Sequence, residues 1–222
     1  MEIKINGIKK KYGKKEVLKG VSLSVPSGKC VGILGGNGCG KSTLLSILAG
    51  IQPADGGEFL CNGKNLLASS KERSKLVGYI PQGTPLIDEL TARDNLSLWY
   101  TKEAMEKELR DGVLKMLGVD EFLNVAVSKM SGGMKKRLSI GCAVASKPPI
   151  LLLDEAMAAL DIACKQKIFT YIKGHVANGG TVLLVTHDVM ELELCDEWYI
   201  IKDGVATPFK YEGDTELLIR SF

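Results

Sequence analysis

The chain has 222 residues, of which 45% are hydrophobic and 25% are charged, a composition typical of one globular domain with a sizeable core. Its formal net charge of +3 is small, and without a clustered basic face it argues against a nucleic-acid partner. The six cysteines form no Cys-x-x-Cys pair, so we predict reduced thiols and a cytosolic protein. No apolar run approaches the roughly 20 residues that span a bilayer, so any membrane part is expected on another chain.

The first elements alternate apolar and polar residues, as half-buried strands do. Residues 3–8 and 17–25 follow this rhythm, and the polar stretch 10–15 between them predicts an antiparallel hairpin. The lysine run at 9–11 is interpreted as part of a solvated turn rather than as a binding patch. An apolar strand is predicted at 30–34, followed by a glycine-rich run and a helix that ends at Gly50.

The remainder of the chain first changes to helical spacing and then alternates strands with helices. Residues from about 84 to about 124 predict a helical insert, with a long helical stretch from Lys102 to Leu117. A later helix is predicted from Met134 to Ala145. Beyond it we predict strands at 150–153, 181–185 and 199–201 and helices at 163–176 and 189–194. Such alternation predicts a parallel sheet covered by helices, and His175, on one of these helices, is assigned to the surface.

A glycine-rich loop carries the first chemical signal. Residues 35–42 fit the pattern Gly-x-x-x-x-Gly-Lys-Ser/Thr between a predicted strand and a predicted helix, which is the context that a phosphate-binding loop requires. Its N–H groups and the helix N-terminus favour an anion. Lys41 is expected to reach the β- and γ-phosphates, and the Ser42 hydroxyl to ligate Mg²⁺. The predicted nucleotide contacts are Gly35, Gly36, Asn37, Gly38, Cys39, Gly40, Lys41, Ser42 and Thr43.

Two carboxylates follow the apolar strand at 150–153. Ligands of parallel sheets bind at the carboxyl ends of strands, so Asp154 is expected beside the phosphate loop, where it can hold Mg²⁺ together with Ser42. Glu155 is placed to orient or deprotonate an attacking water. A kinase would not need this second carboxylate because it must exclude water, so hydrolysis is favoured.

Several segments of the chain resemble the conserved motifs of one ATPase family. The segment Met130-Ser131-Gly132-Gly133-Met134-Lys135-Lys136-Arg137-Leu138 is similar to the signature of ABC ATPases, usually Leu-Ser-Gly-Gly-Gln. Tyr12, Gln82, Ala158-Ala159-Leu160-Asp161 and His187 match, in family order, the adenine-stacking aromatic, the Q-loop, the D-loop and the switch histidine. The resemblance covers essentially the whole chain, and the ordered set is more specific than any single motif.

The resemblance implies a single domain with an α/β fold: a P-loop NTPase (RecA-like) core with a parallel sheet, an N-terminal antiparallel β subdomain and an inserted α-helical subdomain. Residues 1–83 and 141–222 would form the catalytic core with the β subdomain, and residues 84–140 the helical subdomain that carries the signature. ATP and Mg²⁺ are the implied cofactors. Glu155, His187 and Gln82 would be catalytic, and Ser42, Gln82 and Asp154 would hold the metal. Further implied nucleotide contacts are Tyr12, Val17, Ser131, Gly132, Gly133 and Asp161.

The implied function is ATP binding and hydrolysis in a head-to-tail homodimer that drives a separate membrane-embedded permease. The chain would then be cytoplasmic and peripherally attached to the membrane through that partner. Met134 replaces the usual signature glutamine, and Ala156-Met157 replaces the usual Pro-Thr, changes that could alter the rate. Ser-Gly-Gly-Met followed by Lys-Lys-Arg-Leu resembles ABC-2-type exporters and favours export. The alternatives are a non-transport ABC ATPase, such as one for iron–sulfur assembly or division, and a structural dimer that hydrolyses ATP very slowly.

Cys39 supports a hypothesis of its own. It lies in a nest of N–H dipoles just before a helix N-terminus, an environment in which thiols are reactive. We predict that alkylation of Cys39 blocks ATP binding and that bound ATP protects the thiol. The transported substrate cannot be read from the chain, because the membrane partner would select it.

Overall fold

A computed structural model describes residues 1–158, 160–211 and 213 of the chain. The strands are β1 Ile3–Tyr12, β2 Lys15–Val25, β3 Cys30–Leu34, β4 Gly56–Cys61, β5 Lys64–Asn65, β6 Val77–Ile80, β7 Ile150–Asp154, β8 Thr181–Val185, β9 Glu197–Lys202 and β10 Val205–Phe209. The α-helices are α1 Lys41–Ala49, α2 Ser70–Leu76, α3 Ala92–Ser97, α4 Lys102–Asp111, α5 Val113–Met116, α6 Gly132–Ala143, α7 Ile162–Ala177 and α8 Val189–Leu192. Within the described ranges, every helix is too short or too polar to cross a bilayer.

The described strands form two sheets. The larger has the order β10-β9-β3-β8-β7-β6, in which β9, β3, β8, β7 and β6 are parallel and β10 joins antiparallel to β9. The smaller is antiparallel, with the order β2-β1-β4-β5. The predicted parallel core and N-terminal antiparallel β subdomain are therefore confirmed.

Each buried strand of the larger sheet serves two cores, because successive side chains point to opposite faces. On β7, Ile150 and Leu152 pack with the smaller sheet and with α1. Leu151 and Leu153 face the other way, toward α6, α7 and the helical region. This burial on both faces explains why the strand is a continuous apolar run rather than an alternating one.

Two of the predicted helices differ from those of the structure. The helical stretch predicted from Lys102 to Leu117 is broken at Gly112, where the Glu108 carboxylate accepts the Val113 N–H at 2.8 Å and starts α5. A Cβ at Gly112 would lie 2.0 Å from a Glu108 side-chain oxygen, so this close approach needs glycine. The predicted helix from Met134 instead begins at Gly132, because the Ser131 hydroxyl caps it by accepting the Met134 N–H at 3.2 Å.

Further predictions at the level of single residues are corrected by the structure. Lys10 is not in a solvated turn: it lies within β1, is buried, and donates to the Pro53 carbonyl at 2.7 Å. His175 is not on the open surface, because its half-buried ring stacks on Tyr171 and burial lowers its pKa.

The structure also bears on the predicted state of the cysteines and on the predicted subdomain limits. All six cysteines are free, as predicted. Ala159 of the predicted D-loop lies outside the described residues. The boundary predicted at residue 140 falls within α6, and the division of the chain into subdomains stays a prediction.

Candidate active site

The topology brings four loops to one edge of the larger sheet. The carboxyl ends of the parallel strands β3, β6, β7 and β8 meet there, the position at which open α/β sheets bind ligands. A cavity of about 550 Å³ opens at this edge. It is lined by Val17, Asn37, Gly38, Gly40, Lys41, Ser42, Thr43, Gln82, Glu155 and His187.

The loop between β3 and α1 depends on its glycines. Gly35, Gly38 and Gly40 have φ values of 142°, 75° and 110°, which L-residues with a side chain rarely adopt. A Cβ at Gly35 would lie 2.4 Å from the Ile201 carbonyl oxygen, and one at Gly40 would lie 2.7 Å from Leu18 Cδ2. The loop therefore packs tightly against β2 and β9 and delivers its backbone to the start of α1, where free N–H groups bind anions.

Lys41 is held over this loop. Its side chain is only 6% exposed, and Nζ donates to the carbonyl oxygens of Gly35 at 2.7 Å and Gly36 at 3.1 Å. Both of these partners are neutral carbonyls, so the Lys41 ammonium keeps its charge available for phosphate oxygens in the cavity. Gly36 and Cys39 lie on the other side of the loop, in a neighbouring depression, and Cys39 is half-buried.

Asp154 lies beneath the cavity with an exposure of 2%. Oδ1 accepts the Ser42 hydroxyl at 3.0 Å and Oδ2 accepts the Tyr79 hydroxyl at 3.1 Å. Burial raises the pKa of Asp154 although both hydrogen bonds oppose this shift, and burial likewise raises the pKa of Tyr79 to about 12. Among the described residues no cation pairs directly with this carboxylate. A buried carboxylate beside a hydroxyl fits Mg²⁺, which takes one or two protein oxygens and completes its shell with water and phosphate.

Glu155 contacts both of the other predicted catalytic residues, Gln82 and His187. It follows β7 with a φ of 47°, a strained conformation that its N–H stabilises by donating to the Val185 carbonyl at 2.9 Å. Oε2 accepts the Gln82 amide at 2.9 Å, and Oε1 lies 3.3 Å from His187 Nε2. Loops from β6, β7 and β8 thus place Gln82, Glu155 and His187 in contact at one cavity.

The other predicted site residues lie outside this cavity. Tyr12 is at the end of β1, half exposed, with its hydroxyl bonded to Gln52. Ser131 is exposed as the N-cap of α6, with Gly132 and Gly133 in the first turn. Asp161 caps α7 by accepting the Cys164 N–H at 2.8 Å. Within one chain these residues do not complete the site.

Sequence reasoning missed two residues of this region. Tyr79, which bonds Asp154, precedes Gln82 by three positions but was given no role. Lys136 is 3% exposed, and its ammonium donates to the carbonyls of Pro81, Gln82 and Gly83 at 2.6, 2.9 and 3.4 Å. The available signal was a lysine four positions before the buried Ile140, on the core-facing side of a predicted helix.

Comparisons with known proteins agree with this geometry. The family described as "ABC transporter" matches residues 18–158. The Nod factor export ATP-binding protein I of Rhizobium sp. (strain N33) is 34% identical over 91% of the chain and 68% of its own length. The sulfate/thiosulfate import ATP-binding protein CysA of Neisseria meningitidis serogroup A / serotype 4A (strain DSM 15465 / Z2491) is 35% identical over 99% of the chain and 63% of its own length. The chain thus spans somewhat less than two thirds of the length of CysA.

A solved structure extends the comparison. The chain is 30% identical to the ATP-binding cassette MJ0796, whose dimeric post-hydrolysis state was determined with ADP and Pi. The TM-score is 0.83, and the match covers 96% of this chain and 100% of that one. Exporters and importers both occur among the relatives, so the comparisons give no direction of transport. The chain belongs to the ABC transporter family and is an ATP-binding, ATP-hydrolysing domain of that family.

Proposed function

We propose that the chain is a transport ATPase subunit that hydrolyses MgATP at the cavity beside Lys41 and works as a head-to-tail pair with a second copy. The observation that carries the proposal is the convergence of Gln82 and His187 on Glu155, next to the Ser42–Asp154 pair. A structural dimer that does not turn over would have no need for this arrangement.

Phosphate binding is assigned to the loop and Lys41. The γ-phosphate would replace the Gly35 and Gly36 carbonyls as partner of the Lys41 ammonium, and backbone N–H groups at the start of α1 would bind the β-phosphate. Thr43 is assigned to a phosphate oxygen, and Val17 and Tyr12 to the nucleoside. Tyr12 is suited to this role because its ring is exposed.

Metal binding is assigned to Ser42 and Asp154, with Gln82 nearby. The bound Mg²⁺ would neutralise charge that develops on the transferred phosphate. The protein's part is to keep the Asp154 carboxylate ionised and oriented, which the Ser42 and Tyr79 hydroxyls do by donating to its two oxygens.

Water activation is assigned to Glu155. A carboxylate at the end of β7 can accept a proton from water that attacks the γ-phosphate. His187 would hydrogen-bond the γ-phosphate and hold it in line with the attacking water. The Gln82 amide would orient the water and contact the metal. The hydrogen bonds that now join these two residues to Glu155 would be exchanged for bonds to substrate.

A second copy would complete the site. Ser131, Gly132 and Gly133 form an exposed helix N-terminus outside the cavity of their own chain, so they are free to face ATP bound by another copy. Asp161 at the start of α7 would lie at the same interface. Two nucleotides between two chains would make the dimer depend on ATP.

The membrane partner is assigned to an apolar surface on the helical region. Leu98 and Trp99, just after α3, are 60% and 66% exposed, and Ile87 is also exposed. This surface follows the loop that carries Gln82, so a cytoplasmic helix of a permease bound there would be linked to the active site. We assign the chain to the cytoplasmic side of the membrane and to export, the latter on the signature variant Ser131-Gly132-Gly133-Met134.

The test of the partner assignment is affinity purification of the tagged chain from detergent-solubilised cells of its own source, with the co-purifying membrane proteins identified for the wild type and for Leu98→Glu with Trp99→Ala. We expect the double variant to keep its ATPase activity and to lose the permease. Retention of the permease would contradict the surface assignment. A soluble protein that co-purifies instead of a permease would favour the non-transport alternative.

A further inference from the structure

Lys136 is a buried charged residue near the site, with an exposure of 3%, to which the proposed reaction gives no role. It lies in the second turn of α6, five residues after Ser131, which is about 7.5 Å along the helix axis. One turn further along the same face of α6, Ser139 and Ile140 are buried as well. A lysine is rarely this buried unless its ammonium is fully hydrogen-bonded.

The partners of this ammonium are three successive backbone carbonyls. Nζ donates to Pro81, Gln82 and Gly83, so all three of its N–H groups are used by one loop. The acceptors are neutral backbone oxygens rather than carboxylates. Lys136 is therefore not part of an ion pair but a clamp on the backbone at both sides of the Gln82 side chain.

Packing does not explain the position of this loop. Gln82 and Gly83 are exposed, and a Cβ at Gly83 would meet no atom within 4 Å. A loop with so little buried surface is expected to be mobile unless hydrogen bonds fix it. Lys136 supplies those bonds, and the Gln82 amide then reaches Glu155 at 2.9 Å.

We propose that Lys136 is a positioning residue for ATP hydrolysis, which holds the loop of Gln82 to α6, the helix that Ser131 caps. Movement of α6 is then transmitted through one side chain to the residue that contacts Glu155. The inference rests on the proposed function, because it assumes that Gln82 and Glu155 act in hydrolysis. A displacement of the Gln82 side chain by about 1 Å can lower a rate on the order of a hundredfold.

The test compares Lys136→Met with Lys135→Met in the full chain. Lys135 is the neighbouring lysine, and its ammonium pairs with Asp88 at 3.2 Å on the surface, so its removal changes the same charge without touching the loop. We expect Lys136→Met to lower kcat about tenfold or more, while KM and the affinity for a fluorescent ATP analogue change less than about twofold. Lys135→Met is expected to match the wild type in all three. A kcat for Lys136→Met equal to that of Lys135→Met would overturn the proposal.

A double-mutant cycle separates positioning from a general loss of stability. If Lys136 acts through Gln82, adding Lys136→Met to Gln82→Ala should lower kcat no further. An equal additional loss in both backgrounds would show that Lys136 acts elsewhere. If Lys136→Met does not fold, Lys136→Gln takes its place, because it keeps an N–H donor. We expect its kcat to be lower than that of Lys135→Met, with KM unchanged. A wild-type kcat in Lys136→Gln would overturn the proposal.

A measurement that needs no turnover distinguishes this inference from the proposed function. A nitroxide label at Gly83→Cys fits the open space there, in a Cys39→Ala background where the other cysteines are buried. We expect faster label motion with Lys136→Met than with Lys135→Met. Identical spectra would refute the clamp. A wild type without turnover but with the expected spectral difference would contradict the proposed function alone.

Discussion

Tyr79→Phe is the substitution that most directly probes how the chain holds a metal. It removes one hydroxyl and leaves the ring in place, so Asp154 Oδ2 loses the donor 3.1 Å away. The carboxylate is 2% exposed, and water cannot easily replace the bond. A hydrogen bond to a charged group contributes about 1.5–3 kcal/mol, and outer-shell partners of metal ligands typically change metal affinity by about 10- to 100-fold. We therefore expect the Mg²⁺ concentration for half-maximal ATPase activity to rise about tenfold.

The assay is a Mg²⁺ titration of ATPase activity at saturating ATP, with thermal unfolding measured in parallel. Tyr199→Phe is the matched control, because Tyr199 lies on β9 of the same sheet and its hydroxyl has no hydrogen bond to the described residues. We expect the control to titrate like the wild type. An unchanged Mg²⁺ dependence in Tyr79→Phe would refute the assignment of Asp154 to the metal.

Three further substitutions or treatments have defined outcomes. Gly35→Ala should weaken ATP binding at least about tenfold, because a positive φ alone costs about 1–2 kcal/mol and the new Cβ also meets the Ile201 carbonyl. Alkylation of Cys39 should block ATP binding, and saturating MgATP should protect the thiol. Glu108→Gln should lower the free energy of unfolding by about 1 kcal/mol at neutral pH, because a bond to the Val113 N–H and the Lys147 ammonium favour the carboxylate.

Each of these has a control or a contrary outcome. Gly174→Ala on α7 has open space and an ordinary φ, so it should bind ATP like the wild type, and equal affinity of Gly35→Ala would contradict the loop geometry. Equal alkylation of Cys39 with and without MgATP, or full activity after stoichiometric labelling, would contradict the prediction that this residue of the phosphate loop contributes to ATP binding.

The pH dependence of the Glu108 effect follows from the sign of its shift. Burial opposes ionisation of Glu108, but the Val113 N–H and Lys147 outweigh it, so its pKa is lowered. A lowered folded-state pKa stabilises the protein above the ordinary glutamate value and loses this contribution as pH falls through the folded-state value. The difference between wild type and Glu108→Gln should therefore shrink on acidification below about pH 4.3. A difference independent of pH would refute this account.

The sequence predicted most of the fold because periodicity and motif context agree at the active edge of the sheet. The strand–loop–helix around Lys41 and the strand that ends at Asp154 are local patterns, and the structure has both. The break at Gly112 could not be predicted from periodicity, because it depends on a carboxylate four residues earlier. β10 was missed because it contains Pro208 and lies on the sheet edge, where apolar alternation is weak.

The site shows the same division between local and long-range information. Gln82, Glu155 and His187 were predicted as separate motifs, and the order of the parallel strands brings them together. Tyr79 contacts Asp154, which is 75 positions away in the chain, and Lys136 contacts Pro81, which is 55 positions away. No local sequence pattern encodes such contacts. Residues that position a site from a distance are therefore revealed by the folded structure and not by local sequence patterns.

The central claim is that Glu155 activates water in a site that two copies complete. The most direct measurement is steady-state ATPase activity of the purified chain with Mg²⁺ beside Glu155→Gln, with molecular size measured with and without ATP. We expect the wild type to hydrolyse ATP, and Glu155→Gln to lose hydrolysis and to form an ATP-dependent dimer. A Glu155→Gln variant that hydrolyses ATP like the wild type, or that stays monomeric with saturating MgATP, would contradict the account.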